Sequence, residues 1–160
     1  MKIAGIILGI IACLIAVAVM YIGTVSPETH IYTGRQVPKK YMSTIGELKL
    51  LQKDEQIRYF YSDAILGIKA GFYFVTGRNL VIYSSEWEEP AEVMPLKEIT
   101  KLEVEYDDSF FEDSMVYIET MQGLEISFPL SSEKGMDRKF VEAIREKMPE
   151  QVEEPGRAPL

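Results

Sequence analysis

The chain has 160 residues, of which 26% are charged and 47% hydrophobic, an ordinary composition for one globular domain. Residues 3–27 contain no charged side chain, whereas residues 28–160 carry all 25 acidic and 16 of the 17 basic residues, a net charge of −9. Without the apolar start and a polar tail, roughly 100–120 residues remain, too few for a Rossmann dehydrogenase or a TIM barrel. The acidic balance also disfavours nucleic acid as a partner.

The apolar start, residues 3–25, is long enough to cross a membrane. As a helix its 23 residues span about 35 Å, against about 30 Å of bilayer hydrocarbon. We therefore predict a single transmembrane anchor over residues 1–25 that places the protein in the cell membrane. Gly5 and Gly9 form a GxxxG pattern, which can bring two membrane helices together, so a weak homodimer is a further expectation.

Two other interpretations of this segment stay open. Ala16, Val17 and Ala18 offer a small-residue cleavage site for a signal peptide, although cleavage there leaves an apolar mature terminus. Cys13 ends a loose lipobox and is the residue that a lipoprotein signal would use for lipidation. The anchor, the cleaved peptide and the lipidated terminus therefore remain three alternatives.

Residues 26–47 are predicted to form a juxtamembrane linker that contains a short helix, since residues 26–40 mix two prolines, one glycine and charge. Their bases Arg35, Lys39 and Lys40 are candidates for contact with lipid headgroups. Counted by the positive-inside rule, these bases favour a cytoplasmic domain. The short Met-Lys start favours the extracytoplasmic alternative.

The apolar pattern changes from a helical period in residues 41–51 to a period of two from residue 56 onward. Apolar residues spaced as Tyr41, Ile45 and Leu48 indicate a short amphipathic helix. Alternating or β-rich runs then predict six or seven strands, two of them joined at Gly77 and Arg78 as a hairpin. The predicted strands cover residues 56–63, 71–76, 79–84, 91–95, 101–106, 115–120 and 124–130.

The last predicted element is a helix, because Met136, Phe140, Ile144 and Met148 recur every four residues. Ser131 or Ser132 is the candidate cap for its start. Residues 149–160 have no apolar period and are predicted to be a disordered tail. Strands followed by one helix indicate an α+β domain, in which a single sheet curls into a partly open barrel and the helix closes one end.

This order of elements resembles the bacterial pleckstrin-homology-like domains, a mostly uncharacterised family often found beside membrane segments. The resemblance rests on the polar entry at residues 50–57, the hairpin at 72–83, the segment 95–106 and the closing helix at 138–148. It implies a partly open antiparallel barrel of six to seven strands over residues 48–148. Its motifs are structural, so it supports the fold better than the function.

Residues that carry catalysis are scarce. The only histidine, His30, lies in the predicted linker, and no cysteine lies outside the apolar segment, which excludes Cys/His catalysis and thiolate zinc sites from the domain. We find no phosphate-binding glycine motif. The sequence therefore predicts neither an enzyme nor a cofactor.

Two acidic loops, residues 86–89 and 107–113, carry large aromatic side chains: Trp87, Phe110 and Phe111. Exposed aromatic residues on loops are favoured anchors for partners, so these three are the candidate partner-binding residues. The alternative is that the three rings fold back and cap the barrel. We therefore expect a membrane-anchored binding or scaffolding module for a protein or peptide, without catalysis. The alternative is a carboxylate-based enzyme or a sensor of a small ligand or cation, supported by the surplus of acidic residues.

Overall fold

The computed structural model describes residues 7, 10–17, 20, 30–64, 67–107 and 112–149. From residue 30 onward these residues form eight strands, two helices and two short 3-10 turns, at Leu96–Glu98 and Glu133–Gly135. The helices and strands are β1 Tyr32–Thr33, α1 Lys39–Glu47, β2 Tyr59–Tyr61, β3 Gly71–Val75, β4 Asn79–Ser84, β5 Ala91–Pro95, β6 Ile99–Glu105, β7 Ser114–Thr120, β8 Glu125–Leu130 and α2 Met136–Arg145.

Only part of the predicted transmembrane segment belongs to the described residues. Ile7, residues 10–17 and Met20 are helical, and Cys13 among them is exposed. No helix within the described part of the chain combines the length and the apolar character that crossing a bilayer requires. Gly5 and Gly9 lie outside the described residues, as does most of the predicted tail.

The strands form two antiparallel sheets. One sheet has five strands in the order β1-β2-β3-β4-β5, and the other has three in the order β6-β7-β8. The predicted single sheet that curls into a partly open barrel is therefore wrong, although the α+β class and the antiparallel pairing are confirmed. The chain leaves the first sheet at Pro95, which has no N–H to donate, and the turn Leu96–Glu98 redirects it into the second sheet.

The first sheet is buried on both faces. Its inner face packs against the second sheet and α2, where Leu80, Phe128 and Phe140 are fully buried. Helix α2 presents to this core the side chains that the four-residue period predicts, Phe140 and Ile144 among them. Helix α2 therefore packs in one core with both sheets.

The outer face of the first sheet is covered by α1 and β1. Tyr41 and Ile45 of α1 pack on an aromatic surface formed by Phe60, Phe72 and Phe74. Strand β1 extends the sheet by pairing Tyr32 with Phe60 and Thr33 with Tyr59. The packed domain thus includes segments that the sequence assigned to the linker at residues 26–47, and the described packing begins at the buried Ile31.

Candidate functional site

Described residues of three connections meet at one end of the domain, which we call the loop end. They are residues 62–64 and 67–70, residues 85–90, and residues 106–107 and 112–113. The backbone N–H of Ser85 donates to the carbonyl of Ala70 at 3.0 Å, which joins the first two connections. The Tyr61 hydroxyl donates to Asp113 Oδ2 at 2.6 Å, which joins the third connection to the end of β2. The fold therefore brings the loop after β4 and the end of the loop before β7 close to the connection between β2 and β3.

Trp87 lies in the connection between β4 and β5 and is 39% exposed. Its backbone N–H donates to the carbonyl of Ser84 at 3.3 Å, so the loop turns tightly after the strand. Phe110 and Phe111 lie outside the described residues. The structure thus brings the Trp87 loop and the ends of the 106–113 loop to the same end of the domain.

Two tyrosine–aspartate pairs form the floor of the loop end. Tyr61 donates to Asp113, and Tyr73 donates to Asp63 Oδ2 at 3.1 Å. The two phenol rings stack with centroids 6.2 Å apart. Because Asp113 directly precedes β7, the Tyr61 bond connects the two sheets. Neither pair was predicted from the sequence, because the two partners of each pair lie on different strands and loops.

Burial is the main cause that raises the pKa of both tyrosines above that of an exposed phenol. The carboxylate of Asp113 raises the pKa of Tyr61 further, and that of Asp63 raises the pKa of Tyr73. Both phenols consequently remain neutral hydrogen-bond donors over the physiological pH range. Their arrangement suits a structural tie rather than a base that removes a proton from a substrate.

We expect this tie to make the protein sensitive to alkaline pH. The folded pKa values of Tyr61 and Tyr73 exceed the unfolded value of about 10, so their contribution to stability is complete below pH about 10 and declines above it. Urea unfolding of the full chain at a series of pH values measures the decline. The Tyr61→Phe/Tyr73→Phe variant should show a shallower decline than the parent, and an equal slope would contradict this role.

Asp137, in the first turn of α2, is a buried carboxylate. It is 2% exposed, and its Oδ2 accepts a hydrogen bond from Ser114 Oγ at 2.8 Å. The same hydroxyl accepts from the backbone N–H of Asp107 at 3.1 Å. Among the described residues, Asp137 Oδ1 has no hydrogen-bond partner. The helix dipole favours a negative charge at this position.

Three further acidic side chains of the loop end belong to the connection that carries Trp87. Glu86, Glu88 and Glu89 are all exposed. Within the described ranges, no three histidine, cysteine, aspartate or glutamate side chains come together in a way that could hold a metal ion. The alternative of a carboxylate or cation site therefore gains no support from these residues.

The three candidate headgroup-binding bases lie close together in the chain where β1 passes into α1. Arg35, Lys39 and Lys40 are all exposed, and the Lys40 ammonium lies 5.0 Å from the centre of the Tyr41 ring. Because Tyr41 is buried against the sheet, these bases are held by the packed domain rather than by a free linker.

The opposite end of the first sheet, which we call the hairpin end, is organised by Thr76. This residue is fully buried, and its hydroxyl accepts hydrogen bonds from the backbone N–H groups of Arg78 and Asn79 at 3.1 and 2.9 Å. The same hydroxyl donates to Glu55 Oε1 at 2.8 Å. The Arg78 guanidinium forms an ion pair with Asp54. The turn predicted at Gly77 and Arg78 is therefore confirmed and is fixed by a polar network.

Comparison with solved structures identifies the fold. A DUF1696 family protein with a pleckstrin-homology domain from Shewanella loihica PV-4 is similar, with a TM-score of 0.51 and 14% identity over 75% of this chain and 98% of that one. A pleckstrin-homology domain from Shewanella amazonensis SB2B gives 0.45 and 14% over 64% and 86%. No family model and no curated protein matches the sequence.

The first of these similarities confirms the predicted class: the protein contains a pleckstrin-homology-like domain, with antiparallel sheets followed by a C-terminal helix. At 14% identity the similarity concerns the fold alone. Because one fold supports many functions, the function has to be argued from the site.

Proposed function

We propose that the protein is a membrane-anchored binding module that docks a protein or peptide partner at the loop end and performs no catalysis. The observation that carries this proposal is the exposed indole of Trp87 on a short loop at the end of a pleckstrin-homology-like domain. Large, rigid aromatic side chains supply much of the binding energy in protein interfaces. The hydroxyl groups of Tyr61 and Tyr73 beside this loop already donate to carboxylates, so we assign these two residues a structural role rather than a role in binding.

The charge around Trp87 indicates what kind of partner fits. Trp87 is flanked in sequence by Glu86, Glu88 and Glu89, which are all exposed. The indole is therefore surrounded by negative charge. A matching partner presents an apolar pocket or cleft bordered by lysine and arginine, because complementary charge speeds association and excludes acidic competitors. The partner that we propose is therefore a basic protein or peptide surface.

The proposal places the domain at the cell membrane through residues 3–25. The length and the lack of charge of that segment support the anchor, and the bases Arg35, Lys39 and Lys40 are suited to contact anionic headgroups next to it. The excess of bases on the C-terminal side of the anchor favours a cytoplasmic domain. The net negative charge of the rest of the domain favours attachment by the helix over broad adsorption to anionic lipid.

One experiment tests both parts of the proposal. A photo-crosslinking amino acid replaces Glu88, the exposed neighbour of Trp87, in the full chain. The chain is expressed in its own host, and the membrane fraction is washed with alkaline carbonate after irradiation. We expect one discrete adduct that stays in the washed membranes. Mass spectrometry should identify a partner whose crosslinked region is basic.

The matched control carries the same crosslinker at Met121, which is 60% exposed in the turn between β7 and β8. No adduct, or the same adduct at both positions, would exclude the Trp87 surface as the docking site. An adduct that the carbonate wash removes would instead exclude the anchor, and the two parts of the proposal can therefore fail separately.

A further inference from the structure

Strand β5 is an edge strand of the first sheet, and no described strand pairs with its outer side. The carbonyl of Pro90, just before the strand, accepts a hydrogen bond from Ser84 N–H of β4 at 2.8 Å. Because bonded positions recur at every second residue of an antiparallel pair, Glu92 also bonds toward β4. The N–H and C=O groups of Ala91 and Val93 therefore point away from the sheet.

The other edge strands of the two sheets are protected against pairing with another chain. Among the described residues, β1 has only two residues, β6 begins with a bulge between Ile99 and Lys101, and β8 contains Pro129. Short length, bulges and proline are common means by which proteins block an open edge. In contrast, β5 carries the apolar Val93, which is 44% exposed. This edge is therefore the best suited of the four to accept an additional strand.

The side chains of β5 define which strand would match it. Val93 lies on the outer face of the first sheet, opposite Val81 of β4. Glu92 points to the other face, is half-buried, and forms no ion pair within the described part of the chain. Side chains at directly opposite positions of neighbouring strands contact each other. A matching strand therefore places an apolar side chain beside Val93 and a basic one beside Glu92.

A second copy of this chain is a poor occupant of this edge. Pairing Ala91 with Val93 of another copy would place two Glu92 carboxylates directly opposite each other, which is destabilising. Pairing Val93 with itself would instead place Pro95, which has no N–H, opposite Ala91. Pro90 and Pro95 also limit the accessible edge to the residues between them. The edge therefore favours a short segment of a different protein.

The edge of β5 directly continues the surface that we propose for the partner. Trp87 belongs to the connection that leads into β5, and Glu86, Glu88 and Glu89 of that connection are exposed. A partner that covers the indole can continue along β5 without leaving this acidic surface. The preference for basic residues is thus the same at the loop and beside Glu92.

We propose that the partner docks by adding a short antiparallel strand to β5, with apolar side chains beside Ala91 and Val93 and a lysine or arginine beside Glu92. The main-chain groups of Ala91 and Val93 supply the hydrogen bonds, and the side chains supply the selectivity. Antiparallel pairing is favoured because it is more stable per residue than parallel pairing. This inference rests on the proposed function, since it states how the basic partner of the Trp87 surface is held.

The probe is a fluorescently labelled pentapeptide of alternating lysine and valine, with lysine at both ends, titrated into the full chain in nanodiscs of neutral lipid. A residue directly opposite Val93 exchanges both main-chain hydrogen bonds with it, so the valine N–H groups of the peptide face β5. Methylation of both valine nitrogens should weaken binding at least about tenfold, because two hydrogen bonds are lost. Methylation of two lysine nitrogens is the matched control and should leave binding unchanged. Equal effects of the two peptides, or a larger effect of lysine methylation, would overturn the proposal.

Variants of β5 test the side chains. Glu92→Gln should weaken binding of the pentapeptide about threefold, because its central lysine loses a charge partner. Glu125→Gln, which removes an exposed carboxylate of β8 in the other sheet, should bind as the parent does. Val93→Lys should abolish measurable binding, since a lysine on an edge strand blocks the addition of a basic strand, whereas Val93→Thr should retain it. Equal losses in Glu92→Gln and Glu125→Gln, or full binding by Val93→Lys, would contradict strand addition. Thermal unfolding of each variant shows that it is folded.

The inference and the proposed function can fail separately. A discrete adduct from the crosslinker at Glu88, together with peptide binding that ignores valine methylation, would exclude strand addition and leave the Trp87 surface in place. The expected methylation pattern without an adduct at Glu88 would support strand addition and exclude the Trp87 surface. A crosslinker at Ala91 that joins two copies of the chain would show that β5 pairs with itself, which would also overturn the inference.

Discussion

Replacement of Ile45 by alanine is expected to lower the free energy of unfolding by about 2–5 kcal/mol. Ile45 is completely buried between α1 and the aromatic outer face of the first sheet. The substitution removes three carbon atoms from a site where the rings of Phe60 and Phe72 stack with centroids 5.8 Å apart, so the surroundings can collapse only in part. Urea unfolding of the full chain, followed by circular dichroism, measures the effect.

The control for this prediction is Ser43→Ala on the solvent side of the same helix. Ser43 is exposed, and exposed substitutions usually change stability by less than about 0.5 kcal/mol. If Ile45→Ala lowered the free energy of unfolding no more than the control does, α1 would contribute little to the stability of the domain. The assignment of residues 26–47 to a linker would then stand.

Phe140→Ala is expected to have an effect of about 3–5 kcal/mol. The Phe140 ring lies 6.3 Å from the ring of Tyr59 in the first sheet and 6.3 Å from that of Phe128 in the second. Within the described residues no strand of one sheet pairs with a strand of the other, so side-chain contacts hold the sheets together, those of Phe140 among them. The loss of this ring should therefore weaken both sheets at once.

Lys139→Ala, at the neighbouring and exposed position, is the control for Phe140→Ala and should unfold at nearly the parent urea concentration. Both curves should remain single transitions with unchanged slope, because one core connects the elements. A cost for Phe140→Ala below about 1 kcal/mol would show that the Phe140 ring contributes little to joining the sheets and would contradict the prediction.

The second sheet and α2 were predictable because each has one face in water. Leu102 and Val104 alternate with Glu103 and Glu105 along β6, and such alternation is typical of a half-buried antiparallel strand. Phe140 recurs four residues after Met136 for the same reason in a helix. A local pattern is sufficient where the contrast between core and solvent repeats along the element.

The sequence of the first sheet does contain an indication that both of its faces are covered, although no prediction was based on it. Strand β3 reads Phe72, Tyr73, Phe74 and Val75 without polar alternation, and continuous apolar runs indicate strands covered on both faces. The period of Tyr41 and Ile45 showed a helix. A nine-residue helix does not by itself show which surface it covers, because that depends on contacts distant in sequence.

The candidate sites depend still more on distant contacts. Trp87 could be chosen from its loop composition, and its exposure agrees with that choice. In contrast, Tyr61 and Asp113 are 52 positions apart, and their pairing follows from the way the two sheets meet. The spacing of these residues in the sequence does not show that they meet in the fold.

The position at which packing begins limits where the domain can work. Ile31 is already buried, so only residues 26–30 separate the packed domain from the proposed anchor. Even fully extended, that stretch of chain reaches only about 20 Å. The domain would therefore search for partners in a thin layer along the bilayer surface. A partner resident in the same membrane would meet it at a high effective concentration, whereas a freely diffusing one would have to enter that layer first.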